Sequence, residues 1–210
     1  MHTLYLDLAS HDGLIAAVTN DAILASERAD HRIDDASLVP RLEKALLSAG
    51  WSYQDLTNIA CVVGPGGFTS LRVAVALANT LSHELKIPSC GVHLSDVYRA
   101  RTSAQTSASE LTNNALWLHS TKKNELFIRS FGDFAKKFPE PQCITLDELK
   151  KVIKEGSQWM GELIPEHRKI VDEAGAQEAS LVPIAEVLPS FLKKQTYVKQ
   201  ILQPWYGRGW

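Results

Sequence analysis

The chain has 210 residues, with 22 Lys plus Arg against 24 Asp plus Glu and a formal charge of −2, a length that suits one large domain or two lobes of roughly 100 residues. Hydrophobic residues at 45% and charged residues at 22% are enough to fill a core and exclude a disordered chain. The near-neutral balance excludes a dedicated nucleic-acid or membrane-surface binder, which needs a basic excess, so any RNA contact is expected to be local or shared with a partner.

Met1–Asp7 lacks the basic and apolar regions of a signal peptide, and no stretch reaches the roughly 18 apolar residues of a membrane helix; a cytoplasmic protein is expected. Cys61, Cys90 and Cys143 are odd in number and far apart. They offer neither a disulfide framework nor a C-x-x-C site, and the two in predicted strands, Cys61 and Cys90, read as small core hydrophobes.

The first element is a strand over residues 3–8, where Leu4, Leu6 and Leu8 alternate with Tyr5 and Asp7. Residues 14–19 and 22–27 are two more strands around an Asn20-Asp21 turn. Asp34 or Asp35 caps a helix running to Ala49 through Leu38, Leu42 and Leu46, with Gly50 as its stop. Ile59–Val63 is an apolar buried strand ending in Gly64-Pro65-Gly66-Gly67; a helix follows over Phe68–Leu85, closed by Ile87-Pro88, and then a strand over 89–92. The order β-β-β-α-β-α-β is the plan of a ribonuclease-H-like or actin-like half-domain.

A Ser95-capped helix leads into a polar hinge over 101–109, so the lobes are set at 1–105 and 106–210. In the second, 115–119 and 125–131 form a hairpin, Thr145-Leu146-Asp147-Glu148 opens a helix to Lys154 with a capping box, 159–163 and 168–171 are strands, and Pro183 starts a last helix ending near Lys194.

The segment Gly64-Pro65-Gly66-Gly67-Phe68-Thr69-Ser70-Leu71-Arg72 carries most of the chemistry. A glycine turn before a helix presents backbone N–H groups to an anion. It has no Walker Lys, however, and stands on the fourth strand rather than the first of a dinucleotide fold. The plainer reading is close helix–strand packing. From Phe68 to Leu81 the only charged residue is Arg72, and a helix apolar all round expects cover on both sides. Arg72, Ala76, Asn79 and His83 recur at helical spacing and, with Leu71 and Val75, are the candidate partner-binding set on this helix. The seven histidines include no pair three or four apart, so no helical metal pair exists. Asp7 and Asp12 flank the first turn, where a lone acid is more often capping than catalytic.

The Gly64–Arg72 segment resembles the G-P-G-S-F-T-G-[LV]-R signature of the TsaB/YeaZ family of glycoprotease-like (Gcp-like) proteins. Asp7 at the end of the first strand, Leu38-Val39-Pro40, Asn124-Glu125-Leu126-Phe127 and Pro204-Trp205-Tyr206-Gly207-Arg208 resemble further landmarks of that family. The resemblance implies an α/β, actin-like ATPase (ribonuclease-H-like) fold of two lobes, the second short and degenerate. It also implies a non-catalytic subunit in making threonylcarbamoyladenosine in tRNA. Its partners would be the catalytic subunit TsaD and the ATPase TsaE, or a second copy of itself when alone, met through the first two helices with Leu42 of the first in the partner-binding set, and tRNA would be met only through the complex. No cofactor or metal of its own is implied, with ATP or ADP allowed at the subunit junction. Leu8, Gly67 and Ser70 depart from the family pattern, as does Ser120-Thr121-Lys122 in the hairpin. The rival readings are a stand-alone enzyme of the same fold, either a small-molecule kinase or a metallopeptidase, and a homodimeric module with no tRNA role.

Overall fold

The computed structural model describes residues 1–29, 35–103, 115–132 and 136–207. They form two compact units, one of Met1–Val97 with Ile184–Tyr206 and one built on Tyr98–Pro183. The sequence reading divides the chain at 105/106, whereas the structure divides it at Val97/Tyr98, inside the third helix. Residues 184–206, expected in the second lobe, belong with the first. Of the expected hinge, residues 101–103 are the last turn of that helix, and 104–109 lie outside the described residues.

The first unit carries strands β1 (Thr3–Asp7), β2 (Leu14–Val18), β3 (Ile23–Arg28), β4 (Asn58–Gly64) and β5 (Ser89–His93), with helices α1 (Asp35–Ser48) and α2 (Phe68–Leu85). The sheet order is β3-β2-β1-β4-β5. β1, β2 and β3 are antiparallel neighbours, and β4 and β5 run parallel to β1. β1 is central and buried along its whole length. β3, at the edge, alternates between half-buried and exposed, as a strand with one wet face does. Leu38, Leu42, Ala45 and Leu46 of α1 and Ala74, Val75 and Ala78 of α2 pack into one cluster with Leu4, Leu6, Ile15, Ile59 and Cys61, so both helices cover the same face of the sheet. Burial pushes the Cys90 thiol up to about 12 and raises that of Cys61 further, so both stay protonated and serve as core hydrophobes.

Helix α3 (Leu94–Ser103) begins directly after β5. The second unit then holds β6 (Ala115–Lys122), β7 (Glu125–Phe131), β8 (Gln142–Thr145), α4 (Leu146–Val152), β9 (Gln158–Glu162), α5 (Pro165–Glu173) and β10 (Gln177–Glu178). Its sheet order is β10-β9-β6-β7-β8, with β7 and β8 antiparallel and β9 and β10 parallel additions to the central β6. Numbered within the unit, that is again 3-2-1-4-5, with one helix after the third strand and one after the fourth. The second unit repeats the topology of the first with shorter outer elements. The Thr145 capping box forms as expected: the Glu148 N–H donates to the Thr145 hydroxyl, and the Thr145 N–H donates to the Glu148 carboxylate at 2.8 Å.

Residues 168–171, expected as a strand, are helical. Pro165 stands at the first turn of α5, and His167 and Val171 form its buried stripe. A buried network seats that helix. The Ile164 N–H donates to Ser120 Oγ at 3.2 Å, Ser120 Oγ lies 2.8 Å from His167 Nδ1, and His167 Nε2 lies 2.8 Å from the Lys123 carbonyl. A carbonyl only accepts, so Nε2 carries the proton and Nδ1 accepts from Ser120. Both side chains are at most 2% exposed, which makes this Ser–His pair structural. Ser120→Ala strands two polar groups and is expected to cost about 1–3 kcal/mol, read as a lower urea midpoint with an unchanged slope. The last helix, α6 (Ile184–Lys193), returns to the first unit and packs beside β3.

Candidate partner-binding face

The glycine loop is filled by the protein's own chain. Gly64 sits at φ +144°, and a Cβ built on it lies 2.2 Å from the Trp205 carbonyl oxygen; one built on Gly66 lies 2.7 Å from Ala9 Cα. Pro65 between them is buried and joined to Gly64 by a cis peptide bond. These glycines are needed because two backbones pass where side chains would be. Trp205 is held by its N–H donating to the Val63 carbonyl at 2.7 Å and by an edge contact with the His93 ring at 4.7 Å.

Ala9 is fixed in turn by Asp7. That carboxylate is 3% exposed and accepts from the Ala9 N–H at 2.9 Å, the Ser10 N–H at 3.1 Å and the Ser10 hydroxyl at 2.8 Å. Asp7 thus ties the β1–β2 turn under the glycine loop. Asp12, the other acid of this turn, is exposed and pairs with Arg28. Among the described residues no group of three or more His, Cys, Asp or Glu is placed to hold a metal ion.

Gly67 is the N-cap of α2 at φ −60° and ψ 132°, with no side-chain hydrogen bond. Its built Cβ meets nothing nearer than Ser70 Oγ at 3.4 Å. Gly67→Ser is therefore expected to stabilise the chain by about 0.5–1 kcal/mol, through a stiffer unfolded chain and a capping hydroxyl, measured as a raised melting temperature.

Along α2 the candidate set divides. Leu71 and Val75, at 0% and 3% exposure, and Leu42 of α1, at 0%, point into the core. They are corrected from partner-binding to packing residues: spaced one helical turn apart, Leu71, Val75 and Ala78 make the stripe that meets the sheet. Arg72, Ala76 and His83 are exposed on the opposite side, with Thr69 near the helix start. Asn79 is half-buried and clamps the C-terminal tail: its Nδ2 donates to the Leu202 carbonyl at 3.0 Å, and the Leu202 N–H donates to its Oδ1 at 2.8 Å.

Phe68 is 53% exposed. The Arg72 guanidinium lies over its ring at 5.2 Å, and the Tyr206 ring stacks on it at 5.0 Å. On α1, Val39 and Leu47 are 44% and 78% exposed. These two were not among the candidates, and Phe68 was one only as part of the glycine loop, because in apolar runs such as Leu46-Leu47 hydropathy alone does not say which neighbour faces out. Three of the six large apolar side chains exposed among the described residues lie on α1 and α2, so these two helices present apolar side chains that docking would cover.

No helix among the described residues is long and apolar enough to cross a membrane. The model of the family described as TsaD, tRNA N6-adenosine threonylcarbamoyltransferase, matches residues 31–159, more than half of the chain. The tRNA threonylcarbamoyladenosine biosynthesis protein TsaB of Buchnera aphidicola subsp. Schizaphis graminum is 24% identical over 138 residues, 57% of this chain and 66% of that protein. A tRNA N6-adenosine threonylcarbamoyltransferase of Syntrophus aciditrophicus is 31% identical over 98 residues, 47% of this chain and 29% of that protein. The chain thus spans less than two thirds of the length of these curated relatives. Among solved structures, a protein described as similar to the peptidase YeaZ from Pseudomonas aeruginosa superposes with a TM-score of 0.68 at 20% identity, covering 99% of both chains. YeaZ from Pseudomonas aeruginosa gives 0.64 at 19% identity, covering 91% of this chain and 90% of that one. Two sheets of order 3-2-1-4-5 are the actin-like, ribonuclease-H-like fold, and with the matched family model they place the chain in the TsaD (Gcp-like) family, on its TsaB/YeaZ branch.

Proposed function

We propose that this chain is a non-catalytic subunit in the biosynthesis of threonylcarbamoyladenosine in tRNA, docking through the outer face of α1 and α2 onto a TsaD-type catalytic subunit, with a TsaE-type ATPase joining. The observation that carries this reading is the exposure of Val39 and Leu47 on α1 and of Phe68, Arg72 and Ala76 on α2. Small Ala76 lets a partner helix approach closely, and the exposed Arg72 stands one turn before it. The stand-alone kinase reading is less well supported, because Asp7 is consumed by its own turn and the glycine loop by Ala9 and Trp205. A nucleotide, where one binds, belongs at the junction of the subunits. With a formal charge of −2 the chain alone has little electrostatic hold on RNA, and tRNA is met through the assembled complex.

Reconstitution with the catalytic and ATPase partners, ATP, threonine, bicarbonate and tRNA tests the reading, with the modified nucleoside measured by mass spectrometry. Product is expected to depend on this chain. Equal product in its absence, at concentrations where a complex forms, would refute it. Size-exclusion chromatography of the chain alone and with the catalytic partner separates a heterodimer from a self-associating module.

A further inference from the structure

A cavity of about 520 Å³ lies between the C-terminal end of α2 and residues 199–201, within the size range of small-molecule sites. It exists because of how the tail is pinned. Val198 exchanges both main-chain hydrogen bonds with Ser89, each at 3.0 Å, and Leu202 is clamped by Asn79. Lys199, Gln200 and Ile201 arch between those two points, making none of the main-chain bonds among the described residues that hold their neighbours.

Three independent features of this cavity point to a ligand. Lys86 and Lys199 both line it, and neither has an ion pair among the described residues, although Glu84 shares the same rim. Lys86 stands at φ 56°, the only non-glycine residue with positive φ among the described residues. It occupies the helix-closing position where glycine avoids a steric penalty, so a strained backbone is kept at the rim together with a cationic side chain. The third feature is an apolar wall, Ile87 and the 74% exposed Ile201, beside the charged rim. The end of a helix normally repels anions, but here the Ser82 and His83 carbonyls accept from the Lys86 and Ile87 N–H groups, and the Ser82 hydroxyl donates to the Ile87 carbonyl at 2.7 Å.

We propose that this cavity binds a small anion with an apolar body, a carboxylate or phosphate held between Lys86 and Lys199 with its body on Ile87 and Ile201. The cavity borders the outer face of α2 at His83, which lines it, but the proposal does not rest on that face's docking role and its test uses the chain alone.

The test is a titration of the full chain, followed in ¹H–¹⁵N correlation spectra, with phenyl phosphate, phenylacetate and uncharged benzyl alcohol. One or both anions should give saturable shifts centred on Ser82, Lys86, Ile87 and Gln200, and the anion preferred identifies the head group. The Lys86→Gln, Lys199→Gln double variant should bind at least ten-fold more weakly, and Glu84→Gln a few-fold more tightly. Lys86→Gly should raise the melting temperature while weakening binding, an opposition that a purely structural lysine would not give. Absence of saturable shifts with both anions, equal binding of benzyl alcohol, or unchanged affinity in the double variant would overturn the proposal.

Discussion

Gly64→Ala is expected to destabilise the first unit by about 3 kcal/mol or more, because two penalties meet at one methyl group. The residue holds φ +144°, where a side chain costs roughly 1–3 kcal/mol. The new Cβ would also lie 2.2 Å from the Trp205 carbonyl oxygen, a backbone atom that yields only if the tail moves. Displacing Trp205 forfeits its hydrogen bond to Val63, worth roughly 1 kcal/mol. For a chain of this length the melting temperature should fall by roughly 6–12 °C, and limited proteolysis should cut the tail near residue 205 sooner than in the parent. Gly67→Ala, three residues along in the same loop and free of both penalties, is the control. A Gly64→Ala variant that melts with the parent would mean that the tail does not close the loop as described.

Ala76→Arg separates docking from folding. Ala76 is exposed on α2, so in the free chain the guanidinium stays in water and melting should change by less than about 0.5 kcal/mol. In a complex that buries this face the same charge is desolvated without a partner, and association should weaken at least about a hundred-fold. Calorimetric titration with the catalytic partner reads the affinity, and circular dichroism confirms the fold. Unchanged affinity would move the docking surface off α2. Leu71→Arg, by contrast, should unfold the chain, since Leu71 is 0% exposed.

The first five strands and the bounds of α2 were readable because local signals agree there. Gly64-Pro65-Gly66-Gly67 and Ile87-Pro88 bracket a continuous helix former, and Asn20-Asp21 sits between two alternating runs. α5 was misread because the β-branched Ile170-Val171 pair outweighed Pro165, whose place at a helix start was the better signal. β8 was hidden in the approach to the Thr145 capping box, and β10, at two residues, is too short to leave a pattern. The outer stripe of α2 followed from helical spacing once Arg72 was taken as its anchor. Leu71, Val75 and Leu42 went to the wrong side, since a helix apolar on most sides does not reveal which side meets the sheet. Nothing local announces that Asn79 binds the backbone of Leu202, 123 positions away, because a main-chain partner leaves no mark in side-chain sequence.

The placement of residues 184–206 in the first unit has a consequence for how the chain is made. After Val97 leaves the ribosome, synthesis must cover the 109 residues from 98 to 206 before Trp205 exists to back Gly64 and Tyr206 to stack on Phe68. At about 5–20 residues per second that takes roughly 5–20 s. During the interval the nascent first unit carries an incomplete glycine loop and an unpinned β5 edge at Ser89, while the second unit, all of which but Gly207–Trp210 runs from 98 to 183, emerges nearly whole. The later-made unit can therefore reach its native contacts first, and the earlier-made one waits for the end of its own strap.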